Sequence, residues 1–486
     1  MSNSIVATRR AGVLLHPTSL PGEANDGTLG PEAYNFVDFL AASGITVWQT
    51  LPLGPVHEDR SPYLSTSVNA GNRQLISRRW MIEHGWLKDD APHDHDAMLD
   101  VAFLRFARSK NKTKKQAYDQ FVESQQDWLD DFALYSCIRE KYSHKPWFEW
   151  VEMLRNRNIR GLQAFADRHQ AQLRQVKFEQ FMFDMQWQAL KQYANKRNVR
   201  LFGDMPIFVA HDSVDVWANR RFFKMDDNNE LSVVSGVPPD YFSATGQRWG
   251  NPLYDWDAML QDDFGWWRKR MARQLDMFDM VRIDHFRGFE AYWEIPAHEP
   301  LATAGYWVKA PGHELFASLK KAFPDLPVIA EDLGLITEEV HALRQAFGMP
   351  GMRILQFGFD GDPNNPYLMH QHEVDSVVYT GTHDNDTTLG WYMSLDEGAR
   401  HHVDEYFHSD EAMPWALIRS ALRSVACMTI LPMQDLLELD SSARMNIPGK
   451  KEDNWHWRFS WEQLPENLAD KLKHLVGLYG RYPEST

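Results

Sequence analysis

The strongest constraint on the fold is a recurrence. Short apolar runs rich in β-branched residues, each closing on polar residues, appear at 12–16, 46–51, 199–204, 280–284, 327–331, 352–356, 376–383 and 427–431, the last running on to Gln434 and Asp435. Between several of them lie stretches with the 3.6-residue period of a helix, at 314–323, 337–347 and 415–425, each after a turn signal. Eight strands alternating with helices predict an α/β chain folded as a (β/α)8 TIM barrel, whose active site forms where the carboxyl ends of the strands meet. The polar residues that close the runs then face one shared cavity.

Two connections are too long for simple loops. Residues 54–198 are mainly helical in pattern, over 99–109, 114–142 and 159–195, and read as a helical insertion subdomain after strand 2. Residues 208–271 form a second insertion after strand 3, in which 221–225, the polar stretch 226–230 and 231–235 predict a hairpin, followed by an active-site loop. The whole chain, 1–486, is thus expected to be one catalytic barrel with helical and mixed insertions at the C-terminal face of its strands, where insertions build a cleft.

Composition narrows the chemistry. The 51 Lys and Arg against 67 Asp and Glu give a formal charge of −16, the wrong sign for a nucleic-acid or anionic-membrane binder. No apolar run reaches the roughly 20 residues of a membrane span, and the stretch after Arg9 and Arg10 is too short for a signal-peptide core. Cys137 and Cys427 are the only cysteines; they offer no disulfide framework or metal-ligand pair, and the expected location is cytoplasmic. The stretch 226–230 lacks the glycine and distant glutamate of a calcium loop, and His93-Asp-His-Asp96 offers too few ligands, so no metal is expected. The basic run 110–115 reads as a solvated helix start. Phosphate-cradling glycine patterns and the nucleophile elbow are absent, and no cofactor is expected. Aromatic residues, with 19 Trp, 16 Tyr and 27 Phe, make up 13% of the chain. They fit a large core, and equally a surface on which sugar C–H faces stack.

Three strand ends carry carboxylates in distinctive settings: Arg282-Ile-Asp284-His285-Phe-Arg287, Ala330-Glu331-Asp332 and Gly381-Thr-His383-Asp384. Side chains alternate along a strand, so Arg282 and Asp284 point the same way. The guanidinium is expected to lower the Asp284 pKa and poise it as a nucleophile, while neighbouring negative charge raises that of Glu331 and keeps it protonated as a general acid. This is the division of labour that retaining glycoside chemistry needs. Attack by water would make a hydrolase, and attack by a sugar hydroxyl a transferase.

At these residues the sequence closely resembles the amylomaltase or disproportionating-enzyme family, the 4-α-glucanotransferases of glycoside hydrolase family 77. The matching segments include Leu15-His-Pro-Thr-Ser-Leu-Pro21, Ser61-Pro-Tyr63, Gly203-Asp204-Met-Pro-Ile207, the run 238–252, Val281-Arg-Ile-Asp-His-Phe-Arg-Gly-Phe289, Ala330-Glu-Asp-Leu-Gly334, Gly381-Thr-His-Asp-Asn385 and Ala443-Arg-Met-Asn-Ile-Pro-Gly449. The resemblance implies Asp284 as nucleophile, Glu331 as acid/base and Asp384 as the third carboxylate. It further implies Arg282, His383, Tyr63, Asp204, Tyr241, Phe242, Gln247, Trp249, His285 and Asn454 as substrate-binding residues. It implies α-1,4-glucans and maltooligosaccharides as donors, glucose or maltooligosaccharides as acceptors, no metal, and a monomer or weak homodimer. Segments 22–28, 57–60 and 64–70 depart from the family pattern near the expected binding subsites. The small residues of 241–249 let that loop bend over the cleft, so that Tyr241, Phe242 and Trp249 cover bound sugar and exclude water. An amylase-type hydrolase and a non-catalytic glucan-binding protein stand as the alternatives.

Overall fold

A computed structural model of the chain describes residues 5–22, 26–226, 228–239, 243–450 and 452–482. Twelve strands are numbered in chain order: β1 (Arg10–Leu14), β2 (Val47–Gln49), β3 (Arg200–Met205), β4 (Val233–Val237), β5 (Gln247–Pro252), β6 (Met280–Ile283), β7 (Ala291–Pro296), β8 (Tyr306–Lys309), β9 (Val328–Ala330), β10 (Gly351–Ile354), β11 (Ser376–Tyr379) and β12 (Met428–Pro432). Eight of them form one parallel sheet in the order β10-β11-β12-β1-β2-β3-β6-β9. The seam between its edge strands β9 and β10 is drawn together where the Ala330 N–H donates to the Pro350 carbonyl at 2.9 Å and the Met352 N–H donates to the Asp332 carboxylate at 2.7 Å. All eight runs read from the sequence lie in this nearly closed barrel, flanked by helices.

The barrel interior is packed. Val47, Phe202, Met280, Ile329, Met352, Val377, Met428 and Ile430 form one buried cluster, and side chains filling the lumen in layers are what make such a barrel a core rather than a pore. Gly12 is required by that packing, because a Cβ there would lie 2.5 Å from the Ile430 side chain and 2.8 Å from Val47. Toward the carboxyl ends the lining turns polar, and the Tyr379 hydroxyl donates to Gln49 Oε1 at 3.0 Å.

Between β2 and β3 the chain is helical, but the long periodic stretches are interrupted. The pattern over 114–142 splits into helices Lys112–Ser124 and Gln126–Lys141 around Gln125, and that over 159–195 into Ile159–Arg168 and Gln170–Lys196 around His169. The last of these helices packs on β3 and on the helix Pro31–Ala42, so it belongs to the ring around the barrel. Its Trp187 is fully buried and donates its indole N–H to the Met277 carbonyl at 2.8 Å.

The expected hairpin over 221–235 shrinks to one antiparallel bridge, Met225 to Leu231. β4 instead pairs with β5 and with β7, in a four-stranded antiparallel sheet ordered β5-β4-β7-β8. The local polar turn suggested a local partner, whereas the ladder is closed by strands more distant in sequence. Two of them, β7 and β8, lie in the connection between β6 and β9.

Candidate active site

The carboxylates sit where β3, β6, β9 and β11 end. Asp204, near the end of β3, is buried and accepts two contacts from Arg282 Nη1, at 2.8 and 2.6 Å. It also accepts the Tyr63 hydroxyl proton at 2.7 Å. The other terminal nitrogen of Arg282, Nη2, lies 2.8 Å from Asp284 Oδ1. One buried guanidinium therefore ties two carboxylates at the floor of the cleft, each through a different terminal nitrogen and by charge-assisted hydrogen bonds.

Past Asp284 the chain turns sharply at His285, whose left-handed backbone (φ 50°, ψ 50°) is one that histidine tolerates better than bulkier side chains. The turn aims the His285 N–H at Glu331 Oε2, at 2.5 Å. The Leu333 N–H donates to Glu331 Oε1 at 3.1 Å, so backbone donors fix both oxygens. The next residue, Asp332, faces away from the cleft, pairing with Arg344 at 3.2 Å and holding Met352 N–H on β10.

The third carboxylate stands on the loop after β11. The side chain of Asp384 is 48% exposed to the cleft. Its Oδ2 is 3.3 Å from His383 Nε2, and its Oδ1 accepts Asn446 Nδ2 at 2.6 Å. The loop is clamped from beneath by buried Asp435, which accepts Thr380 Oγ1 at 2.6 Å, Thr388 N–H at 2.7 Å and Thr388 Oγ1 at 2.7 Å. His383 in turn stacks on Tyr63, with ring centroids 5.0 Å apart at 17°.

The electrostatics separate the three acids. Burial pushes Glu331 up to about 8, reinforced by Asp284 and opposed by Arg282 and the His285 N–H. Burial also raises Asp284, to about 6, against the pull of Arg282. The expectation that Arg282 would bring Asp284 below the usual carboxylate range is therefore corrected: the guanidinium is shared with Asp204, and desolvation outweighs the remainder. For Asp384 the balance reverses. Burial raises it, but His383, the Asn446 hydrogen bond and Arg282 together hold it down at about 2. The order of ionisation is thus Asp384, then Asp284, then Glu331.

The remaining expected residues divide. Trp249 stands edge-on to His285 with centroids 4.8 Å apart, remains 37% exposed, and donates its indole N–H to exposed Gln247 at 3.1 Å. Tyr241 and Phe242 lie outside the described residues. Asn454 is spent on its own loop: its Oδ1 accepts Ile447 N–H at 3.0 Å and its Nδ2 donates to Lys450 O at 2.8 Å. That contact orients the adjacent Trp455, whose ring lies 5.9 Å from His383. Asp435, expected with the other polar strand ends to face the shared cavity, is instead buried beneath the loop, and sequence reasoning gave no role to Asn446 and Arg444. These two stand in the quoted segment 443–449, and Arg444 donates to the Asp384 carbonyl at 2.9 Å. Among the described residues no group of three or more His, Cys, Asp and Glu side chains is placed to hold a metal ion.

Fold and site together define an α/β barrel with a cluster of carboxylates at the carboxyl ends of its strands. The family model described as 4-alpha-glucanotransferase matches residues 15–464, and the chain belongs to that family. Over 495 residues it is 45% identical to a 4-alpha-glucanotransferase of Synechocystis sp., covering 97% of this chain and 98% of that one. It is also 45% identical to a 4-alpha-glucanotransferase of Thermus thermophilus, covering 96% and 98%. Among solved structures it is similar to the amylomaltase from Streptococcus agalactiae in complex with acarbose, with a TM-score of 0.93, 36% identity, and coverage of 98% of this chain and 100% of that one.

Proposed function

We propose that this chain is a retaining 4-α-glucanotransferase that moves α-1,4-glucan segments between maltooligosaccharides by double displacement. Asp284 attacks the anomeric carbon of the donor while Glu331 protonates the departing glycosidic oxygen, which leaves as the shortened glucan. A glycosyl ester on Asp284 results. Glu331, now ionised, takes the proton of an incoming 4-hydroxyl, the new glycosidic bond forms, and Asp284 departs as carboxylate. Asp384, His383, Tyr63 and Asp204 hold the hydroxyls of the reacting glucose, and Trp249 shields it. The insertions at 54–198 and 208–271 supply the cleft walls, Tyr63 coming from the first and Trp249 from the second. The two free, buried cysteines fit a reducing, cytoplasmic setting.

The observation that carries this reading is the Glu331 carboxyl bonded to the N–H adjoining Asp284, with Glu331 retaining its proton at a pH where Asp284 has lost its own. The amylomaltase structure with acarbose, a match over the full chain, supports a glucan as ligand. Incubation with pure maltotriose tests it. A transferase yields glucose together with a ladder of longer oligomers. Only shorter sugars would establish an amylase-type hydrolase, and no turnover would establish a non-catalytic glucan binder.

A further inference from the structure

A groove of about 320 Å³ lies beside the barrel, lined by none of Asp204, Asp284, Glu331 and Asp384, between the start of the helix Gln126–Lys141 and the exposed side of the helix Gly265–Met277. Its volume is at the lower end of the ~300–1,000 Å³ typical of ligand pockets. Two partly buried tryptophans line it, Trp128 and Trp266. Each is backed by an arginine: the Arg273 guanidinium lies 5.5 Å from the Trp128 ring and that of Arg270 5.5 Å from the Trp266 ring. The Trp128 indole N–H donates to Gln125 Oε1 at 2.8 Å, which fixes the ring on the groove wall.

Most of the charges around this groove are matched in pairs, Asp131 with Arg157 at 2.6 Å among them. Lys269 and Asp127 meet at 2.8 Å, and Arg273 meets Asp276 at 2.8 Å. Such a rim offers many hydrogen-bonding oxygens and nitrogens, and its four aspartates against three basic residues leave it close to neutral, so an ionic ligand gains little there. A neutral, hydroxyl-rich ligand with apolar faces fits both the indoles and the rim.

We infer that this groove is a second glucan-binding site, where a short stretch of an α-1,4-glucan stacks on Trp128 and Trp266 while its hydroxyls bond the rim. Residues Ser67 and Arg270 line both this groove and the cavity beside Tyr63 and Asp204. A thin wall thus separates the two, so a long glucan held outside raises the local concentration of chain ends at the cleft. The inference rests on the proposed action on glucans.

Native gels cast with soluble amylose test it, alongside transfer assays on maltotriose. Trp128→Ala should raise the apparent dissociation constant for amylose about fivefold, the worth of one stacking contact, while maltotriose disproportionation stays within about twofold. Ser124 is exposed on the groove wall, and Ser124→Arg blocks the groove without touching the core. It should reproduce the effect if Trp128→Ala fails to fold. Retardation by amylose equal to wild type in a folded variant, or equal losses on amylose and maltotriose, overturns the second site. Absence of transfer by wild type overturns the glucanotransferase reading itself, whereas intact transfer with unchanged amylose affinity overturns only the groove.

Discussion

Glu331 shows how one side chain acquires a task from its surroundings. A free glutamate is ionised at neutral pH, whereas burial and the nearby Asp284 keep this one protonated until about 8. In the proposed mechanism turnover needs Asp284 ionised, so activity should rise as pH climbs through about 6. It needs Glu331 protonated, so activity falls again above about 8. The expected kcat/KM profile is a bell between these limits, and a profile flat from pH 5 to 9 contradicts the assignment. Glu331→Gln should abolish the alkaline limb and lower turnover of natural glucans by roughly 10²–10⁴-fold, the usual worth of a general acid. It should spare glycosylation by donors such as α-glucosyl fluoride, whose leaving group needs no proton. Equal loss on both donor types argues against the acid role.

At the scale of elements, the informative feature is the second sheet. It places Trp249, at the end of the 238–252 segment, edge-on to His285 and therefore over the peptide that holds Glu331. In the proposed mechanism a ring in that place keeps water from the glycosyl ester, so Trp249→Ala should raise the ratio of glucose released to oligomer formed several-fold on maltotriose, with an unchanged ratio counting against shielding. The eight barrel strands and the three carboxylates were legible in the sequence because each strand carries its own signal, a short β-branched run with a polar end. The second sheet was not, because β4 finds its partner β7 across about sixty residues and an intervening barrel strand, and no local pattern encodes that pairing. Asp435 was misplaced for a related reason. Its role depends on Thr380 and Thr388, which reach it only in the fold. The family resemblance implies Asn454 as a sugar contact, while in the structure its amide bonds the loop 447–450.

At the scale of the whole molecule, the site stands against the stability of the barrel that holds it. The polar top of the lumen places Asp204, Arg282, Asp284 and Glu331 next to a packed apolar core, and each buried carboxyl that must ionise there weakens the folded state. The direction follows from Glu331. Its folded pKa, about 8, lies above its ordinary 4.5. The unfolded chain therefore loses that proton first, and the stabilisation present below 4.5 declines as pH rises and is gone once the folded pKa is passed. A glutamine, which never ionises, lacks that decline. Thermal unfolding of wild type and Glu331→Gln at pH 5 and at pH 8 should then show the variant gaining about 2–4 °C relative to wild type at the higher pH, the shift that roughly 1 kcal/mol produces in a large domain. A difference between the two proteins that is the same at both pH values would mean that Glu331 is already ionised in the folded state, and would remove the proton on which the first displacement depends.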